Sequence, residues 1–319
     1  MRAAVVQGLG QAPVYADFAA PTPAAGERLI RVTAAALSQL AKSRASGSHY
    51  SSENRFPFVA GVDGVGRLED GTRAYFIQPR APYGAFAEQT VAPAAQCLPL
   101  PDDLDDVTAA AIANPGMSSW AALTERARIK AGETVLINGA TGASGRLAVQ
   151  IAKHLGAKRV VATGRNPEVL AALTALGADT TLSLLADEAA LNASFEREFS
   201  SGVDIVIDYL WGASARQLLI AAARSAPQGV PIRFIQVGSM GGSELALPSA
   251  VLRSSAIELM GSGINSVPGA RLFAAIASVL QATRAAGFQI AAEVAPLSEV
   301  ELRWKTEDAS RRLVFTAGS

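Results

Sequence analysis

Four apolar residues, Ala3 to Val6, follow Arg2 and are then interrupted by Gln7, Gly8, Gly10 and Gln11. So short a run predicts a first β-strand and falls short of a signal-peptide core. Further short strands are predicted at Val14 and Tyr15, and where Leu29, Ile30 and Val32 surround Arg31. Pro21, Pro23 and Gly26 punctuate them. In residues 58–65 the glycines Gly61 and Gly64, followed by Gly66, suggest turns or close backbone approach. Residues 83–88 lead to another strand around Val91. The acidic run 101–106 reads as a solvated loop feeding a helix N-terminus, where carboxylates cap and oppose the dipole.

From about residue 116 the texture changes. Short β-branched runs at 134–138, 159–163, 203–207 and 232–237 alternate with helical patterns at 147–155 and 168–176. Such alternation predicts βαβ units and a parallel, doubly wound sheet. After about residue 265 the pattern gives a helix over 270–286, then strand, helix and a last strand over 313–316. The expected fold class is therefore α/β, with a β-rich part and a doubly wound part.

Composition narrows the function. With 28 basic and 28 acidic side chains among 319 residues, the formal charge is zero, against the cationic excess of nucleic-acid proteins. One cysteine, Cys97, allows neither an internal disulfide nor an all-cysteine zinc site. No stretch approaches about 18 uninterrupted apolar residues, so a soluble, cytoplasmic protein is expected.

The most informative stretch is TVLINGATGASG, residues 134–145. It follows a predicted strand and opens a predicted helix, the context that a dinucleotide-binding turn requires. A helix start offers unpaired N–H groups and positive dipole charge, and both bind a pyrophosphate. Ala140 stands where the first glycine of G-x-G-x-x-G would be, while Gly142 and Gly145 are retained. Thr141, Gly142, Ala143 and Ser144 are thus candidate cofactor-binding residues. About 20 residues on, the sequence reads ATGRN over 162–166 and holds no acid for a ribose hydroxyl. Gly164, Arg165 and Asn166 form the second candidate group, and Arg165 suits a 2′-phosphate, which favours NADPH over NADH. The alternative for Arg165 is a solvated surface cation.

These features, with FVAGVDGVG at 58–66, PGMSSW at 115–120 and RRLVF at 311–315, resemble the medium-chain dehydrogenase/reductase family, in its zinc-free, quinone-oxidoreductase-like branch. The resemblance implies a GroES-like catalytic domain over 1–115 and 265–319. A Rossmann NADP-binding domain would be inserted over 116–264, with nicotinamide and substrate held in the cleft between them. The places of the zinc ligands in metal-dependent relatives are here Ser38, Val62 and Asn114, so a metal-free protein is expected. Without a Lewis acid, simple alcohol–ketone exchange loses its electrophile. A quinone or conjugated enone still accepts hydride, because its π-system is already electron-poor and the charge delocalises onto oxygen.

The resemblance also assigns further residues. Tyr50 and Ser38 fall where substrate would lie, and Tyr50 either contacts a substrate ring or packs in its loop. Ser38 replaces the asparagine common in this branch, and Ala41 and Ser43 are small where relatives often carry larger polar groups. Gly238, Ser239, Gly261 and Ser262 would approach the nicotinamide. Asp208 is either a shared acid of the family or a helix cap, and His154 reads as a surface residue. The function implied is hydride transfer from NADPH to a quinone or conjugated enone by a homodimer. The alternative is a non-catalytic NADPH-binding protein of the same fold. A short-chain dehydrogenase is excluded because no tyrosine is followed four residues on by lysine, and a hydrolase because Ser144 lacks the G-x-S-x-G context.

Overall fold

The computed structural model describes residues 1–48, 55–305 and 311–318. The chain divides into two compact units, one of Met1–Asn114, Leu280–Ala285 and Ile290–Ser319, the other of Pro115–Val279 and Ala286–Gln289. The expected border at 264/265 falls inside the second unit, which runs on to Val279.

The first unit is built on Glu27–Ala36, a ten-residue strand. It pairs antiparallel with Asp63–Leu68, with Gln89–Pro93 and with the C-terminal strand Arg312–Thr316. Arg312–Thr316 in turn pairs parallel with Ala292–Pro296. Arg73–Ile77 and Cys97–Pro99 extend the sheet beyond Asp63–Leu68. A smaller sheet joins Val14–Asp17, Arg2–Val6 and Phe58–Val59. Aromatic rings lock the C-terminal return into this core. The Phe86 ring meets Phe315 at 5.4 Å and Trp304 at 6.1 Å, both edge-to-face, the arrangement that ring quadrupoles favour. In the acidic run, Asp105 Oδ1 accepts the Thr108 N–H at 2.8 Å, capping the helix Asp106–Ala121.

The second unit holds a six-stranded parallel sheet. Its spatial order is Thr180–Ser183, Arg159–Gly164, Thr134–Asn138, Ile205–Asp208, Ile232–Gln236 and Ile257–Gly261. The first strand in the chain therefore lies between the second and the fourth, which creates a topological switch point at their carboxyl ends. The apolar runs are continuous because both faces are covered. On one face Leu136, Val161, Val206 and Phe234 pack with Phe195 and Phe199 of Glu188–Ser200 and Leu218 and Leu219 of Gly212–Ser225. The helix Ala143–His154 buries its own stripe of Leu147, Ala148, Val149, Ile151 and Ala152. The pattern expected over 168–176 splits into an α-helix, Pro167–Ala172, and a 3₁₀ turn, Leu173–Leu176. Gly177 ends it in a left-handed conformation.

Candidate functional site

The carboxyl edge of the parallel sheet gathers most of the predicted cofactor residues. The first strand ends at Asn138, the chain turns through Gly139 to Thr141, and Gly142 caps the helix that begins at Ala143. Gly142 has no side chain to occupy the helix mouth, and the first-turn amides have no intrahelical acceptor. Gly145 is required by packing. A Cβ there would stand 2.4 Å from Gly139 O and 2.6 Å from Ala140 Cα, so only glycine lets the helix start lie this close to the strand end. Gly164 is similarly tight, since a Cβ on it would meet Thr141 Cγ2 at 2.2 Å. A turn of this form can receive a pyrophosphate at its helix N-terminus. The residues present thus fit a dinucleotide.

A buried polar network holds the edge together. Thr163 Oγ1 donates to Asn138 Oδ1 at 2.7 Å and accepts the Gly139 N–H at 3.2 Å. Asn138 Nδ2 donates to Asp208 Oδ1 at 2.8 Å and to Ser214 Oγ at 3.0 Å. The Asp208 carboxylate also accepts the N–H groups of Leu210 and Trp211. Asp208 therefore braces the turn that precedes the helix Gly212–Ser225, whose N-cap is Trp211 and carries no side-chain capping bond. Burial pushes its carboxyl above the ordinary value, and the hydrogen bonds from Leu210, Asn138 and Trp211 oppose that rise without cancelling it. On the loop's other side, Ser119 Oγ lies 3.0 Å from Ser144 O and 2.8 Å from the buried Tyr209 hydroxyl. Burial pushes the Tyr209 phenol up to about 12.

Asn138, Thr163, Ser119 and Tyr209 are the supporting residues that sequence reasoning missed. The signal available was a polar residue ending each buried strand, at Asn138, Thr163 and Asp208, where a continuous apolar run would otherwise carry on.

The other predicted residues occupy separate stations. Arg165 is exposed at the end of the second strand, lining a recess with Asn166, Pro167 and Glu168. Asn166 Oδ1 caps its own helix by accepting the Val169 N–H at 3.1 Å. An open cavity of about 440 Å³ brings Ser239 and Gly261 together with Trp211, Gln236 and Met260. Gly238 accepts from Gln236 Nε2 at 2.9 Å, and the Ser262 N–H donates to Gln236 O at 2.8 Å. Gln236 thus braces both candidate pairs. His154 is exposed and lies against the rings of Trp120 and Phe288.

In the first unit Ser38 is buried, and its Oγ accepts the Ala41 N–H at 3.0 Å as the cap of Gln39–Ser46. Tyr50 lies outside the described residues. The residues at the three zinc-ligand places do not fit the metal. Val62 has no donor atom, Ser38 serves as a cap, and Asn114 offers only a neutral amide. Among the described residues no group of three or more His, Cys, Asp or Glu could hold a metal.

Residues 143–279 match the family model for a zinc-binding dehydrogenase. A probable NADPH-dependent quinone reductase of Emericella nidulans is 28% identical over 338 aligned positions, covering 93% of this chain and 94% of that protein. A quinone oxidoreductase of Lama guanicoe is 28% identical over 273 positions, covering 81% and 79%. Among solved structures, the quinone oxidoreductase of Thermus thermophilus, determined also with NADPH, superposes with a TM-score of 0.84 at 26% identity, covering 99% and 100%. An NAD-dependent alcohol dehydrogenase reaches 0.85 at 24% identity over 100% of both chains. At that identity the likeness carries the fold alone.

Proposed function

The chain is a quinone-oxidoreductase-like member of the medium-chain dehydrogenase/reductase family, and from that premise we propose that it transfers hydride from NADPH to a quinone or conjugated enone. The observation that carries the cofactor half is the pairing of a glycine turn at residues 139–145 with Arg165, and no acid, at the end of the next strand. The backbone of Thr141, Gly142, Ala143 and Ser144 would hold the pyrophosphate. The thin backbone of Gly164 lets the turn close. Arg165 would pair with the 2′-phosphate, while Asn166 orders the helix start beside it. Gly238, Ser239, Gly261 and Ser262 would bound the nicotinamide. When bound, the nicotinamide supplies the hydride.

For the electrophile, the first proposed donor is Ser38 O–H, since its capping bond uses a lone pair of that oxygen. Tyr50 O–H is the second proposed donor. A quinone or enone needs only such modest help, because its charge is delocalised as hydride arrives. We place the protein in the cytoplasm; no helix among the described residues is long and apolar enough to cross a membrane. We also propose a homodimer joined at Ile257–Gly261, the last strand of the sheet, where Leu259 is exposed.

The test is a panel of quinones, conjugated enones and saturated ketones followed at the NADPH absorbance band. Quinones should be fastest, enones second and saturated ketones poor. Saturated ketones turned over as fast as quinones would refute the assignment. Tight NADPH binding with no oxidation by any of them would favour the binding-only alternative.

A further inference from the structure

A cavity of about 400 Å³ in the first unit has a lining unlike that of a site for an uncharged molecule. Its floor is apolar and buried, formed by Ala41, Val59, Ala60 and Val62. The rings of Phe56 and Phe58, 5.6 Å apart and tilted by 38°, form a wall. Arg44, Arg55 and Tyr83 also line it, and no Asp or Glu does so among the described residues. Gln78 lines it too, with its backbone held at φ +52° and its N–H donating to Val62 O at 2.9 Å. Gln78 Oε1 accepts from Gln96 Nε2 at 2.9 Å, which fixes the orientation of its amide.

Two of the polar side chains that line the cavity are cations, and Tyr83 adds a hydroxyl that can donate or accept. Arginine's fork of N–H groups matches carboxylate and phosphate oxygens two at a time, and gains strength beside low-dielectric walls. The volume lies at the small end of the range for organic-ligand pockets. We propose that this cavity binds a small organic acid, its flat apolar body against Phe56 and Phe58 and its anionic group at Arg44 and Arg55. Joined to the oxidoreductase reading, on which this step rests, the preferred electrophile is a quinone or enone that carries a carboxylate or phosphate.

Binding is tested first on the full-length protein without cofactor, by titration calorimetry. The probes are 3-benzoylpropionate, its methyl ester and phenyl phosphate. The acid should bind more tightly than the ester by about tenfold or more in low salt, as for a charge-assisted hydrogen bond. That advantage should shrink in high salt and disappear in R55Q, whose side chain is exposed and whose melting temperature should be unchanged. The tighter of 3-benzoylpropionate and phenyl phosphate identifies which anion the arginines favour. Equal affinities for acid and ester, or an acid advantage that survives in R44Q/R55Q, would overturn the proposal.

A kinetic arm separates the two readings, using NADPH with benzoylacrylate and its methyl ester. Reduction of both at equal efficiency leaves the oxidoreductase reading standing and refutes the acid preference. Arg55-dependent acid binding with neither enone reduced leaves the site standing and refutes the reading of its chemistry.

Discussion

Replacement of Gly145 by alanine tests the cofactor turn most directly. The added Cβ would stand 2.4 Å from Gly139 O, so that oxygen or the helix must retreat by about 1 Å to reach ordinary contact at 3.4 Å. Neither partner is a flexible side-chain tip; both close atoms, Gly139 O and Ala140 Cα, are backbone. Overpacking of this kind costs about 1–3 kcal/mol of stability. The binding cost is separate, since shifting the first-turn amides by about 1 Å misplaces every phosphate donor at once, an effect worth roughly a hundredfold. Gly142→Ala is the control. A Cβ there has nothing nearer than Gly139 O at 4.0 Å, and the residue's φ of −78° suits alanine. G142A should therefore melt with the wild type, while its methyl group at the helix mouth weakens NADPH. G145A should lower both melting temperature and affinity. Differential scanning fluorimetry and titration calorimetry with NADPH read the two effects separately. Wild-type NADPH affinity in G145A would refute the argument, because the turn would then not be the phosphate site.

Three further outcomes follow from the geometry. R165A should raise the NADPH dissociation constant by about tenfold to a hundredfold in low salt and leave NADH nearly unchanged; an unchanged ratio would show that the exposed Arg165 serves only solvent. Because burial raises the Asp208 carboxyl, its contribution to stability is complete below about pH 4 and is lost as pH rises through the higher folded value. Denaturation of wild type and D208N across that range should show wild type losing ground as pH rises, and a constant difference would contradict the sign. Burial pushes the Cys97 thiol up to about 11, so its alkylation at pH 8 should be roughly a hundredfold slower than that of free cysteine. Labelling at the free rate would mean that the thiol is exposed.

Much of the second unit was legible in the chain. A parallel strand buried on both faces must be apolar throughout, so the runs around Leu136, Val161, Val206 and Phe234 announced themselves without any partner in view. The glycine turn was legible for a different reason, since Gly145 satisfies a local steric demand written in one residue. The edge strands were not legible. Thr180–Ser183 is only partly buried and Ile257–Gly261 is largely exposed, so neither carries the continuous apolar signal. Their strand character comes from pairing with Arg159–Gly164 and Ile232–Gln236.

Tertiary structure alone decided how the polar residues are used. That Asn138, Thr163 and Asp208 are polar near the ends of apolar runs is visible in the sequence, but their partners are not. Their hydrogen bonds join positions 25 and 70 residues apart, which only the strand order brings together. Ser38, named from the sequence as a substrate residue, was assigned its capping hydrogen bond by the helix that starts after it. The lining of the Arg44–Arg55 cavity likewise comes from segments around residues 41, 56 and 79 that are separate in the chain. Apolar periodicity records burial, a property each residue carries in its own side chain. A hydrogen-bond network or a charged cavity depends on distances between residues, and those exist only once the chain has folded.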